Sequence, residues 1–135
     1  MKKQNGFTFI ELLVVITIIG VIFAAGVVSY TTIAKNSRDA RRRSDLESIR
    51  QALEMCRSIT GVYPASIYPP TGSIICTDAK TTTMTVTPLD PKPDTAKAGC
   101  LASGQYNYVF TVATGTYTLT ANCMENSASV TLKNP

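Results

Sequence analysis

The chain has no histidine and no tryptophan, and no proline stands before Pro64. Without imidazole, a zinc site would need four thiolates. The four cysteines, Cys56, Cys76, Cys100 and Cys123, are scattered and include no Cys-x-x-Cys pair. There is also no Gly-rich phosphate loop and no convincing nucleophile-base pair, so the reading is a non-enzyme that calls for no metal and no cofactor. Asp78, Asp90 and Asp94 lack the Asp-x-Asp-x-Asp-Gly spacing of a calcium-binding hand. They read as turn-forming residues of a proline-rich stretch.

Charge is missing from Leu12 to Tyr30. With Phe7 to Ile10 included, this apolar segment approaches the ~20 residues that a bilayer-spanning helix requires. Glu11 is the one carboxylate within it. Because neither proline nor any turn signal follows Tyr30, the spacing predicts a single helix from about Phe7 to about Arg57. Its second half is amphipathic: Leu46, Ile49, Leu53 and Cys56 recur at steps of three and four, with Arg43, Glu47, Arg50 and Glu54 on other faces. Gly61, Pro64, Pro69, Pro70 and Gly72 end it.

Positive charge belongs to the stem of this helix. Lys35, Arg38, Arg41, Arg42, Arg43, Arg50 and Arg57 face only Asp39, Asp45, Glu47 and Glu54, whereas the chain beyond residue 57 is balanced. The Arg38 to Arg43 cluster reads as a solvated face with local pairs to Asp39, Asp45 and Glu47. Subunit contacts come second, and nucleic acid is disfavoured for want of interleaved aromatics. The cysteines read as two disulfides, which imply an oxidising compartment and place 56 to 123 outside the cytoplasm.

The last hundred or so residues can bury one modest core. Residues 58 to 105 read as a loop-rich connector with a short strand at Met84 to Thr87. Tyr106, Tyr108, Phe110 and Val112, then Tyr117, Leu119, Ala121 and Cys123, alternate with polar neighbours around Ala113-Thr114-Gly115-Thr116, which predicts a hairpin with an aromatic face. Val130 and Leu132 mark a third strand. The expected class is α+β: a long N-terminal helix, transmembrane half plus amphipathic half, packed on a small antiparallel meander.

The N-terminus Lys2-Lys3-Gln4-Asn5-Gly6-Phe7-Thr8-Phe9-Ile10-Glu11-Leu12-Leu13-Val14-Val15 resembles the class III signal of bacterial type IV pilins and of type II secretion pseudopilins. The resemblance is strong over Met1 to Tyr30, fair along the stem and weak in the head. It implies a leader at 1–6, an assembly helix at 7–30, an amphipathic stem at 31–57 and a β head at 58–135. It also implies cleavage between Gly6 and Phe7 and methylation of the Phe7 amine by a prepilin peptidase. The product would sit in membrane lipid with its head outside the cytoplasm, then join copies of itself or related subunits through an inner-membrane assembly platform. Val28 stands where many pilins carry a proline, and Gly20 and Gly26 are the expected flexible points instead.

Glu11 is the expected assembly residue, paired with a neighbour's Phe7 amine. Four cysteines allow three pairings. Cys56–Cys76 with Cys100–Cys123 is favoured, since Cys56 at the stem's end can meet Cys76 after the following loop and Cys100 can meet Cys123 near the open end of the hairpin. The rival, Cys56–Cys123 with Cys76–Cys100, has the merit that Cys56 and Cys123 both fall on core-facing positions. Alternatives to a pilus subunit are a secretion pseudopilin, a DNA-uptake or adhesive minor pilin, and a small secreted disulfide protein cleaved near Val27.

Overall fold

The computed structural model describes residues 6–69, 72–78 and 80–134. The leader lysines Lys2 and Lys3, and Pro70, lie outside them. One helix, α1, occupies Phe9–Thr60. The chain forms two compact units, Met1–Lys35 and Asn36–Pro135.

In the first unit α1 is long and apolar enough to cross a membrane. Residues 6–27 are all exposed, among them Phe9, Ile10, Val21, Ile22 and Phe23, each at least two-thirds exposed. An apolar helix with nothing of its own chain to cover it is matched to lipid or to other apolar helices. Helix continues through Gly20 and Gly26, and a methyl group at either position would meet open space.

In the second unit the stem packs a core along one stripe. Leu46, Ile49, Leu53 and Cys56 are fully buried, at the helical spacing expected of an inward face. Against them lie Tyr63, Ile67 and Ile74 from the connector and Tyr106, Tyr117, Leu119 and Ala121 from the head. The helix ends at Gly61, whose backbone is left-handed (φ 78°) and whose N–H donates to the Arg57 carbonyl at 2.8 Å. A glycine in this conformation closes a helix without a steric cost. The end therefore falls three residues beyond the expected Arg57.

Five strands follow: β1 (Ile74–Ile75), β2 (Thr82–Met84), β3 (Asn107–Thr111), β4 (Thr116–Ala121) and β5 (Val130–Lys133). β1 and β2 form a two-stranded antiparallel ribbon, and β3-β4-β5 an antiparallel meander. Opposite pairs Tyr108↔Leu119, Phe110↔Tyr117 and Leu119↔Leu132 face the helix, while Thr118↔Lys133 and Thr120↔Thr131 face out. Two expectations are corrected. The connector strand lies at 82–84 and not at Met84 to Thr87. Val112 is not on the aromatic face: β3 stops at Thr111, and Val112 is 81% exposed in the turn closed by left-handed Gly115.

Cys56 is bonded to Cys76 and Cys100 to Cys123, the first of the two pairings weighed above. The links span 20 and 23 residues. Loops of that size stabilise by about 3 kcal/mol each in the chain-entropy account. The first pins the helix end to the connector, and the second pins the loop after residue 89 to the end of β4.

Candidate functional site

At the N-terminus the backbone enters α1 through Thr8. The Thr8 N–H donates to Glu11 Oε2 at 2.9 Å, and the Thr8 hydroxyl donates to the same oxygen at 2.7 Å. In return the Glu11 N–H lies 3.3 Å from Thr8 Oγ1. This is a capping box: side chains three apart satisfy amides that the first helical turn leaves without partners. In an apolar setting each such unsatisfied amide would cost several kcal/mol. Sequence reading singled out Glu11 for its charge and passed over Thr8. The Thr-x-x-Glu pattern before an apolar run was the available signal. Gly6 and Phe7 lie outside the helix in exposed chain, ahead of this cap. The segment thus offers an accessible Gly6-Phe7 bond, a capped helix start, and a carboxylate whose Oε1 takes no part in the cap.

The second cluster joins the stem to the head. Arg42 is fully buried and Arg38 half-buried, which corrects the solvated-face reading for these two, whereas Arg41 and Arg43 are exposed as expected. Arg42 Nε and Nη2 donate to the two oxygens of Asp90 at 2.7 and 2.8 Å. Nη1 donates to Asp39 at 2.7 Å, and Nη2 also reaches the Lys92 carbonyl at 3.0 Å. Asp39, in turn, accepts the N–H groups of Glu125 and Asn126, both at 2.9 Å. Arg38 Nη2 donates to Glu125 at 2.8 Å. One helical turn therefore clasps two separate loops, 88–94 and 123–127. Asp45, also expected as a local partner, accepts instead from the Tyr106 hydroxyl at 2.8 Å. The expected local pair of Arg42 with Asp39 is present. Local pairing alone leaves out Asp90 and Glu125, because a planar guanidinium with five donors can also satisfy loop carboxylates far away in sequence.

Burial works against the charge of Arg42, but Asp90 and Asp39 outweigh it and hold the guanidinium more firmly protonated than usual. Burial likewise opposes ionisation of Asp39, and the two backbone amides and Arg42 outweigh it, so its carboxyl sits below its usual range. The hydrogen bond from Arg38 lowers Glu125 to about 2, from an ordinary 4.5. A carboxylate depressed in the folded state contributes stability that is complete above its unfolded value and is lost as pH falls through its folded one. The clasp is therefore expected to be fully effective above about pH 4.5 and to weaken between there and about pH 2. A thermal melting temperature for the head, followed by tyrosine near-ultraviolet dichroism of the full chain in detergent, should fall across that window. Glu125→Gln should flatten the fall.

The connector aspartates act as turn residues. Asp78 accepts from the Lys80 and Thr81 amides, Asp94 from Ala96 and Asp90 from Lys92.

Comparison with known proteins agrees with the N-terminal geometry. Residues 1–27 match the prokaryotic N-terminal methylation motif. Two probable minor fimbrial proteins of Dichelobacter nodosus are each 38% identical over 56 residues, covering 42% of this chain and 35% of theirs. The chain thus spans about a third of the length of these curated relatives. No solved structure matches. A methylation motif opening a long apolar helix and a stem packed on an antiparallel meander give this chain a pilin-like architecture, and over part of its length it is similar to fimbrial proteins.

Proposed function

We propose that the chain is a non-enzymatic structural subunit of an extracytoplasmic type IV pilus-like filament. A membrane prepilin peptidase cuts between Gly6 and Phe7 and methylates the new amine. The subunit waits in the cytoplasmic membrane with its disulfide-bonded head outside, and an assembly platform then moves it into the polymer. The observation that carries this reading is the apolar helix whose residues 9–27 are exposed throughout. Lipid covers that surface first, and the helices of other subunits cover it afterwards, so insertion exchanges one apolar environment for another. The name of the relatives favours a fimbrial filament over a secretion pseudopilus.

Mass spectrometry of the chain purified from the cells that make it tests the processing step. The expected N-terminus is methylated Phe7, and Gly6→Leu should leave the leader attached. A mature chain beginning near Val27 would mean ordinary signal cleavage and would end this reading.

A further inference from the structure

The head carries two dissimilar apolar patches that fall at different levels of the stem. The first is a groove of about 390 Å³ beside the end of α1, lined by Arg57, Val62, Tyr63, Phe110, Val112 and Thr114 among others. Val62 and Val112 are 48% and 81% exposed at it. In the second, Leu89 and Leu101, 48% and 44% exposed, lie on loops that meet where the Asp90 N–H donates to the Gly104 carbonyl at 2.7 Å. Arg42 fixes that loop pair to the stem through Asp90. Arg42 and Arg57 are fifteen residues apart on one helix, about 22 Å along its axis at 1.5 Å per residue.

Charge distinguishes the two patches as well. Arg57 lies over the Tyr63 ring, 5.1 Å from its centroid, and donates to the Tyr63 hydroxyl at 2.9 Å. It forms no salt bridge among the described residues, because the adjacent Glu54 is taken by the hydroxyls of Tyr63 and Tyr117. Near Leu101 in sequence, the exposed loop presents Asp94, whose carboxylate accepts the Ala96 amide and forms no salt bridge among the described residues. Next to Thr77 in the groove wall stands exposed Asp78, and next to Pro91 in the loop stands exposed Lys92. A groove with a cation at its edge and an exposed apolar loop pair with an anion beside it thus belong to the same chain.

We propose that the groove of one head receives the Leu89 and Leu101 loop of a second copy, with Arg57 facing Asp94 and Asp78 facing Lys92. A contact between different patches of identical subunits is open-ended and repeats along a polymer. This inference rests on the filament reading, since two small patches make a weak interface by themselves. It becomes effective once packed helices hold the heads at high local concentration.

The test uses the full chain in cells that assemble it. With every native cysteine in a disulfide, Val112→Cys and Leu101→Cys each add one free thiol, and a short bismaleimide can bridge facing thiols. The double variant is expected to give a ladder of trimers and longer products in sheared filaments, and each single variant at most dimers. Arg57→Glu is expected to lower filament yield about tenfold through like charges facing across the contact. Arg57→Glu combined with Asp94→Lys should restore it, which a misfolded head would not allow. Normal filaments without a ladder, or a charge-swapped pair as poor as Arg57→Glu alone, overturn this contact and leave the polymer standing. Processed, unaltered chain that never polymerises overturns both.

Discussion

Glu11→Gln should leave a processed, membrane-resident subunit and remove at least about nine-tenths of the filaments, because it deletes a buried counter-charge while keeping the helix cap. On the proposed processing, cleavage after Gly6 would create an α-amine at Phe7 that is cationic near neutral pH, with an unperturbed pKa of about 8. When helices pack in parallel, that amine enters an apolar interior and needs an anion within reach. Glu11 lies four residues along, about 6 Å up the axis. A neighbour displaced by that amount brings its amine to the carboxylate, and attraction in a low-dielectric setting fixes the register.

The capping box sharpens the test. Glu11→Ala removes both the cap on Thr8 and the counter-charge, whereas glutamine can still accept the Thr8 N–H. Electron microscopy and immunoblotting of sheared material decide between them. Abundant filaments built from Glu11→Gln but not from Glu11→Ala would assign the residue to capping alone. Abundant filaments from both would remove it from assembly.

The second large effect is expected at Arg42. Replacing it by alanine leaves Asp39 and Asp90 buried without their counter-ion, and breaking such a pair from one side costs about 3–5 kcal/mol. In a head of this size that is a large part of the total stability. Arg42→Ala should therefore lower the head's melting temperature by more than about 10 °C and expose loops 88–94 and 123–127 to protease. Arg42→Lys keeps the charge but loses the two-pronged grip on Asp90, and should fall between the two. A melting temperature unchanged in Arg42→Ala would show that the clasp contributes nothing to holding the loops.

The parts of the fold that local pattern dictates were legible in the residues. The buried stripe Leu46, Ile49, Leu53 and Cys56 follows from helical spacing, and the three-stranded meander follows from alternation around Thr116 and Val130. β1 has two residues and no period to read, so Ile74–Ile75 was missed. Arg42 was misjudged because its partners Asp90 and Lys92 lie about fifty positions away, and charge near charge in sequence suggested nearer ones. Thr8 was overlooked beside the more conspicuous Glu11, although their spacing states the cap directly. The residues of that cap stand only three positions apart, so the signal was present in the sequence.

The stem is anchored to the head at two places of different kinds. Arg42 holds the loop at Asp90 by ionic hydrogen bonds, and Cys56 holds the connector by a covalent link to Cys76. These anchors are fourteen residues apart, about 21 Å of helix. A pull applied along the stem loads both in parallel, as shear. Under such tension the clasp would yield first and could re-form on release, while the disulfide sets the limit of travel. In a filament of the kind proposed, each head would give at the clasp and be held at the Cys56–Cys76 link.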